Sequence, residues 1–388
     1  MRRAGNRHAS ECAIVSSWLL HSAIPFWAVR GIGEDGLAHE EFTFDGQAKE
    51  LGYRRSLVQF RQVYVLAHAA LGGYGSAELP CALFSRAASS SWHPDGGFMH
   101  TLPGPGLRCD ATRDTYDQAF GILAAAWTYA LDRKQETIDY AYRTLRFLDE
   151  QMASPKGGYV EAIPGRLPRR QNPHMHLFEA FLMAYEVTGD PSFLSHADAI
   201  YELLERHFTT PQGALREYFS ESWSPASGAA GEITEPGHHF EWVWLLHYHA
   251  RVSKRPLGPL AERLFVFATQ HGLDAEGLPL EQVDIHGAPL KRSLKLWAIT
   301  EQLKAHVVRA ELGERDHDPR IESIVAALHT RFLIREPAPL WYEEMASHGE
   351  PARHRMPVST LYHLTLGVME LLRWGQDDRF ALRVETAR

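Results

Sequence analysis

The sequence predicts an all-α fold, an (α/α)6 barrel of six helix pairs with short β-hairpin-like loops at one mouth. Two observations support this prediction. A turn rich in glycine recurs six times along the 388 residues, and two helical patterns accompany each copy of the turn. A regular period of this size is typical of repeat proteins, and six helix pairs favour closure into a ring over an open solenoid.

Each copy of the turn combines a Gly or Pro cluster, an aromatic residue or Leu, a Glu or other polar residue, and a further Gly or Pro. The copies are centred on Gly36, Gly96, Gly157, Gly213, Gly277 and Leu340. Successive copies lie 60, 61, 56, 64 and 63 residues apart, and the last has Pro339 where the others have glycine. No linker interrupts the repeat, so residues 1–388 are expected to form a single domain.

Apolar residues at three- and four-residue spacing predict twelve helices. They span residues 11–29, 47–70, 76–91, 112–132, 136–152, 174–189, 191–208, 237–252, 258–271, 292–312, 318–333 and 357–373. The second helix of each pair should line the inner ring. Boundary signals place Asp110 before the fourth helix, Gly189 at the end of the sixth, Asp190 before the seventh and Pro236 at the start of the eighth.

Composition excludes several classes of protein. With 45% hydrophobic and 23% charged residues, the chain is globular, and its net charge of −8 leaves no basic excess to neutralise nucleic acid. Cys12, Cys81 and Cys109 show no CxxC spacing, which argues against a disulfide framework or a thiolate zinc site and favours the cytoplasm. Glu11 and His21 interrupt the apolar stretch near the N-terminus, so an amphipathic helix is expected rather than a signal peptide or membrane span.

A polar or aromatic residue stands near the start of each inner helix, in one shared register. These residues are Arg61, Tyr116, His176, His238, Trp297 and His363, separated by 55, 60, 62, 59 and 66 residues. Any one of them alone could be a packing residue with a satisfied partner. Six in register predict that a closed barrel aims all of them at a common axial pocket.

The 22 histidines include the pairs His174 with His176 and His238 with His239, which raise the possibility of a metal site. Two residues apart on a helix, side chains point about 200° away from each other. No HExxH motif or acidic ligand cluster accompanies them, so no metal is expected.

His238 and Glu241 lie three residues apart on one face of a first helical turn. Glu241 could bond an imidazole or a substrate hydroxyl, or simply complement the helix dipole. Because a helix N-terminus disfavours imidazolium, His176, His238 and His363 are expected to be neutral near pH 7. Arg61 lies in an apolar run and should need a carboxylate or an oxygen-rich ligand.

Other polar residues have two readings. Asn172 is either a helix cap or an amide that binds hydroxyls. Tyr116 and Trp297 offer flat faces that suit a sugar ring or a core equally well. Arg169–Arg170 and Lys291–Arg292 fall near the predicted mouth, where they could hold a 6-phosphate or be solvated loop charges.

Six motifs in chain order resemble the N-acylglucosamine 2-epimerase superfamily. They are RxxYV at 61–65, YDQAF at 116–120, NPHMHLFEA at 172–180, PGHHFEW at 236–242, LWAITE at 296–301 and YHL at 362–364. That family contains N-acylglucosamine and cellobiose 2-epimerases and mannose isomerases, and its (α/α)6 barrel agrees with the repeat. Ala298 departs from the Trp-Pro that isomerases of the family often show.

The resemblance implies active-site roles for Arg61, His176, His238, Glu241 and His363, and substrate contacts for Tyr116, Asn172, Trp297 and Glu301. It implies an aldose–ketose isomerase without cofactor or metal that interconverts mannose, or mannose 6-phosphate, and the matching fructose through a cis-enediol. His238 and His363 are expected as the acid/base pair, with Glu241 orienting them and Arg61 and His176 stabilising the developing oxyanion.

Three alternatives stay open. A sugar 2-epimerase would use the same residue types. A glycoside hydrolase would need two acids, Glu241 with Glu301 or Glu179. A sugar-binding scaffold would need no catalysis. The expected partner is a monosaccharide or sugar phosphate, with no nucleic acid, nucleotide effector or membrane, and the chain is expected to be a monomer or homodimer.

Overall fold

A computed structural model describes residues 5–352 and 355–375, and it confirms the predicted helical barrel. The helices are α1 (Gly5–Ser17), α2 (Ile24–Arg30), α3 (Ser56–Leu71), α4 (Glu78–Ser91), α5 (Thr115–Asp132), α6 (Gln135–Phe147), α7 (Gln171–Thr188), α8 (Pro191–Leu203), α9 (Pro236–Ser253), α10 (Leu260–His271), α11 (Leu296–Glu311), α12 (Asp318–Ala327) and α13 (Leu361–Trp374). From α3 to α13 the odd-numbered helices form the inner ring. They pack side by side in chain order, and α13 packs back on α3.

The outer layer covers the inner ring, and one large hydrophobic core fills the space between the two. Four outer helices contain or end in a turn of π-helix, at Trp18–Ala23, Leu148–Met152, Leu204–Phe208 and Leu328–Phe332. In the last three turns the first and last residues are both buried. The wider turn therefore brings two apolar side chains to the core just before the chain enters a loop.

Within the described residues, fourteen short strands form the loops at one mouth. They are β1 (Glu41–Phe42), β2 (Ala48–Lys49), β3 (Arg113–Asp114), β4 (Ala162–Ile163), β5 (Arg169–Arg170), β6 (Tyr218–Phe219), β7 (Ile233–Thr234), β8 (Gln282–Asp284), β9 (Pro289–Lys291), β10 (Leu294–Lys295), β11 (Leu333–Ile334), β12 (Leu340–Trp341), β13 (Glu344–Met345) and β14 (Met356–Pro357). The residues just before an inner helix pair with the loop of the next repeat, as in β3 with β4 and β5 with β6. We call each such strand pair between neighbouring repeats a joint. β14 pairs with β1, so a joint also connects the last repeat to the first and closes the ring.

These joints explain why several inner helices begin later than predicted. The prediction of residues 112–132 was wrong at its start, because 113–114 form strand β3, and Asp114 rather than Asp110 caps the helix by accepting from the Tyr116 N–H. The helices predicted to begin at 292 and 357 also begin later, at Leu296 and Leu361, because residues 294–295 and 357 belong to strands β10 and β14. The second helix begins at Ser56 instead of 47, because β2 and a loop precede it. Gly189, with φ +72°, and Pro236 end and begin their helices as predicted.

The first predicted helix, 11–29, forms the outer elements α1 and α2 and begins earlier, at Gly5. Within it, Glu11–Arg30 is long and apolar enough to cross a membrane by composition, with a mean hydropathy of 1.5. Core helices pass the same test. Val15, Leu19 and Trp27 on this stretch are buried in the main core, so it belongs to the outer layer of the barrel.

Gly213 lies at a turn that needs both a positive φ and a close approach of backbones. Its φ is +92°, and an added Cβ would lie 2.3 Å from the Arg263 carbonyl oxygen. Gly36 holds the same position in the first turn, with φ +74° and open space around it. Substitution of Gly36 therefore tests the energetic cost of a positive φ alone, whereas substitution of Gly213 adds the cost of a steric clash with Arg263.

We predict that Gly36→Ala lowers the free energy of unfolding by about 1 kcal/mol, the cost of a left-handed conformation for a residue with a Cβ. Gly213→Ala should lose a further ~1–3 kcal/mol because it also overpacks the loop. Urea denaturation followed by circular dichroism measures both. Equal losses in the two variants would contradict the predicted close contact.

Candidate active site

The six register residues converge at the mouth of the inner ring, as the sequence predicts. The Arg61 guanidinium donates to the Tyr116 hydroxyl over 2.8 Å, and the Tyr116 ring centroid lies 5.1 Å from that of His176. The His176 and His363 ring centroids are 6.4 Å apart. Trp297 lies between His238 and His363, with ring centroids 4.8 and 5.8 Å away.

Each of the three register histidines has a carboxylate against its Nδ1. His238 Nδ1 donates to Glu217 over 3.0 Å and His363 Nδ1 donates to Glu301 over 2.8 Å. The third pair is His176 with Glu179, at 3.3 Å. A carboxylate at Nδ1 fixes the tautomer and leaves Nε2 as the nitrogen that can exchange a proton.

The expectation of a neutral His238 was wrong. Burial lowers the pKa of this imidazole, but the carboxylates of Glu217 and Glu235 outweigh burial and raise the pKa to about 10. Glu217 rather than Glu241 orients the ring. Two nearby negative charges thus override the helix N-terminus, and His238 carries a proton at neutral pH.

The other two register histidines are neutral, as predicted. Burial lowers the pKa of His176 to about 4, despite the hydrogen bond to Glu179. Burial also lowers the pKa of His363 well below its usual value, and the positive charges of Arg61 and Lys304 lower it further. The site therefore holds a protonated imidazole and a neutral one on either side of Trp297.

Glu241, Glu301 and His363 each place one possible donor atom within 4.8 Å of the others, a spacing that could hold a cation. Lys304 already supplies a positive charge at this place, because its ammonium lies 2.6 Å from Glu301 and its side chain is fully buried. Burial and the neighbouring charge of Glu301 raise the pKa of Glu241 well above its usual value. One Glu241 oxygen has no hydrogen-bond partner among the described residues.

Arg61 is 6% exposed and forms no ion pair with a carboxylate among the described residues. It donates to Tyr116 and to the Ser359 carbonyl oxygen, and it stacks on Phe120 at 4.3 Å from the ring centroid. Its Nε has no partner within the described chain. A buried guanidinium with spare donors suits a ligand that carries oxygens or develops negative charge.

Comparison with known proteins agrees with this arrangement. The sequence model of N-acylglucosamine 2-epimerase (GlcNAc 2-epimerase) matches residues 36–367. The chain belongs to the N-acylglucosamine 2-epimerase family.

A relative from Rhizobium meliloti (strain 1021), named mannose-6-phosphate isomerase, is 34% identical over 375 residues, which cover 92% of this chain and 95% of that protein. The crystal structure of a D-mannose isomerase has a TM-score of 0.82 at 19% identity and covers 93% of this chain and 97% of its own. Cellobiose 2-epimerase from Spirochaeta thermophila DSM 6192 has a TM-score of 0.84 at 17% identity, with 96% and 98% covered. These structures confirm the fold, and the relatives are sugar isomerases and epimerases, as predicted.

Two histidines in this family member have a structural role. His174 Nε2 accepts from the Tyr159 N–H over 3.0 Å, and His239 Nε2 accepts from the Leu215 N–H over 2.9 Å. Burial lowers the pKa of both to about 4. Each neutral ring thus ties a repeat hairpin to an inner helix, and only one histidine of each sequence pair faces the site.

Asn172 is not a helix cap, because it lies inside α7. Its amide meets His238 Nε2 at 3.1 Å. The amide nitrogen of Asn172 can donate to a neutral imidazole. If the amide group is rotated by 180°, its oxygen can accept from a protonated imidazole, and that oxygen has no other partner among the described residues. Asn172 therefore helps to hold the protonated His238.

Most of the basic residues suggested for a phosphate have other partners. Arg169 is buried and donates to Ser154, while Arg170 pairs with Glu161 and Asp114. Lys291 pairs with Glu281, and Arg292 is exposed.

Sequence reasoning missed Glu217 and Lys304, and it treated Glu179 only as a hydrolase candidate. Glu217 could have been found from the repeat, since it stands four residues after its turn glycine. Glutamate recurs at this position in five turns, at Glu40, Glu161, Glu217, Glu281 and, counted from Pro339, Glu343. No comparable signal marks Lys304, because lysine in a helix is ordinarily exposed.

We predict that Glu217→Gln lowers the pKa of His238 below about 10, because the amide keeps the hydrogen bond but removes the negative charge. His238 gains its partner on folding, so the pair stabilises the fold fully below the usual histidine pKa, and this stabilisation is lost as pH rises through about 10. NMR titration of the histidine side chains measures the shift. Glu221→Gln, an exposed change in the same loop, is the control, and an unshifted His238 in Glu217→Gln would refute the assignment.

Proposed function

We propose that this chain is an aldose–ketose isomerase that converts D-mannose to D-fructose without a cofactor. The observation that carries the proposal is a pair of imidazoles in opposite protonation states, each backed by its own carboxylate, on either side of Trp297. Proton transfer beside a carbonyl needs both a base and an acid, and two such groups supply them.

In the proposed mechanism, His238 donates a proton to the ring oxygen as the pyranose opens, regains one from the carbon-1 hydroxyl that becomes the aldehyde, and then donates it to that carbonyl oxygen. Neutral His363 removes the proton from carbon 2, and Glu301 stabilises the imidazolium that forms. Arg61 stabilises the negative charge that develops on the sugar oxygens. His363 then returns its proton to carbon 1 of the cis-enediol while neutral His238 takes the proton of the carbon-2 hydroxyl, which gives the ketose and returns both imidazoles to their starting states.

A sugar 2-epimerase is the second candidate, because a third imidazole, His176, lies beside His363. Epimerisation must return a proton to the opposite face of carbon 2, which calls for a second group able to carry a proton. His176 is a further neutral imidazole, with its ring centroid 6.4 Å from that of His363.

We propose free mannose as the preferred substrate over mannose 6-phosphate. Arg169, Arg170 and Lys291 have partners already, so a phosphate would have to compete for them. We also propose that residues 1–388 act as one domain, because the described helices share one main core, and that the enzyme is a cytoplasmic monomer or homodimer. Its net charge of −8 argues against a nucleic-acid partner.

We predict that the purified protein, in D2O with EDTA, converts mannose to fructose faster than it converts mannose 6-phosphate. NMR identifies the product and the position of deuterium. Glucose labelled at carbon 2 would instead establish the epimerase, and no change in either sugar would refute both. Full activity with EDTA is expected, since the proposed steps use only side chains.

We predict that His363→Ala abolishes turnover, because it removes the base, whereas Glu241→Gln keeps part of the activity. A hydrolase with Glu241 as a catalytic acid predicts the reverse order and release of sugar from a glycoside. A binding scaffold predicts mannose binding without exchange of the carbon-2 hydrogen. Turnover and solvent-deuterium exchange, measured on both variants, separate the three.

We predict that kcat/KM holds steady across neutral pH and falls as pH rises toward about 10, where His238 loses its proton. In Glu217→Gln the alkaline fall should move to lower pH. A profile of kcat/KM against pH for both proteins checks this, and an identical alkaline limb in the two would contradict the role of His238 as the acid.

A further inference from the structure

Lys304 is the least expected residue in the barrel. Its side chain is fully buried on inner helix α11, and its ammonium lies 2.6 Å from Glu301 and 4.1 Å from the centroid of the Trp244 ring. Burial lowers the pKa of Lys304, but the carboxylates of Glu301, Glu241 and Glu179 raise it by more, so the side chain stays charged. A buried charge is costly, and it persists only where other charges compensate it.

The charged and titratable groups around Glu301 and its partner His363 come from four inner helices besides that of Glu301. They are Arg61 from α3, His176 and Glu179 from α7, His238 and Glu241 from α9, and His363 from α13. Glu241 and Glu301 are both fully buried and close enough to repel each other. Two buried carboxylates this close do not both ionise readily, so a neighbour decides which one carries the charge.

The contacts of the two glutamates differ. Glu301 touches the Lys304 ammonium and accepts a hydrogen bond from His363 Nδ1. The one ion-pair contact of Glu241 among the described residues is with His176 Nε2, at 3.9 Å, and Lys304 lowers the pKa of Glu241 only from beyond ion-pair distance. The single lysine therefore favours the negative charge on Glu301.

We propose that Lys304 is a positioning residue that places the buried negative charge on Glu301 rather than on Glu241. Through Glu301 it keeps His363 in the Nδ1–H tautomer, with Nε2 free to take a proton. If Glu301 were protonated, its hydroxyl would donate to Nδ1 and the ring would carry its hydrogen on Nε2, where it cannot act as the base. The proposal rests on the isomerase function assigned above and extends it to a residue that does not touch the sugar.

The test is a double-mutant cycle of Lys304→Met, Glu301→Gln and the double variant, with mannose as substrate. If Lys304 acts only through Glu301, each single variant should lower kcat on the order of 10²-fold, the lower end of what general-base catalysis contributes. KM should hardly change, and the double variant should be no slower than Glu301→Gln alone. Losses that multiply would overturn the proposal.

Two further readouts separate chemistry from folding. Glu301→Gln removes the carboxylate that Lys304→Met leaves without its closest partner, so the double variant should unfold at a temperature at or above that of Lys304→Met. Lys291→Met, which removes an exposed lysine that also pairs with a glutamate, should leave kcat and stability unchanged.

Long-range ¹H–¹⁵N NMR spectra report the tautomer of His363 without any turnover. We expect Nδ1–H in the wild type and Nε2–H in Lys304→Met, and an unchanged tautomer would overturn the proposal. If the wild type does not convert mannose at all, the isomerase assignment fails, while the NMR result still decides the role of Lys304.

Discussion

Closure of the inner ring is the constraint on which the site depends. Arg61 and Ser359 are 298 residues apart in the chain, yet the guanidinium of one donates to the carbonyl of the other. In an open stack of the same helix pairs, the first and last repeats would lie at opposite ends. The joint between β1 and β14 and the packing of α13 on α3 bring them together. The strand joints also hold the inner helices at their N-terminal ends, which is where the functional side chains lie.

Closure of the ring brings many ionisable groups together. Imidazoles, carboxylates and a guanidinium lie buried close to one another, where an unpaired charge is energetically costly. These groups are paired: a carboxylate contacts each of His176, His238 and His363, and a lysine contacts Glu301. The pairs differ in strength. Two carboxylates near His238 keep it protonated, while His363 faces positive charges and stays neutral, so the neighbouring charges rather than burial produce an acid and a base from the same residue type.

The sequence predicts the fold and the convergence of the six register residues, because both follow from periodicity. It does not predict the partners. The sequence alone does not distinguish His174 from His176, or His239 from His238. The position of each residue around the helix axis decides whether its imidazole contacts a hairpin N–H or faces the pocket. The late starts of the inner helices were missed for a related reason: residues 113–114 become extended only because the next repeat supplies a strand to pair with.

The same cluster of side chains is compatible with an isomerase and with an epimerase, and the groups around His176 help to distinguish the two. Epimerisation asks a second group to deliver a proton to the far face of the enediol. His176 is neutral, its Nδ1 is held by Glu179, and its Nε2 faces Glu241, whose pKa is raised well above the usual value by burial and by the charge of Glu301. With its bare nitrogen towards that carboxyl, His176 is positioned to accept a hydrogen bond from Glu241 rather than to give one to the sugar. With His238 serving the sugar oxygens, His363 carries the proton between carbons 1 and 2 on a single face, as the proposed isomerase mechanism requires.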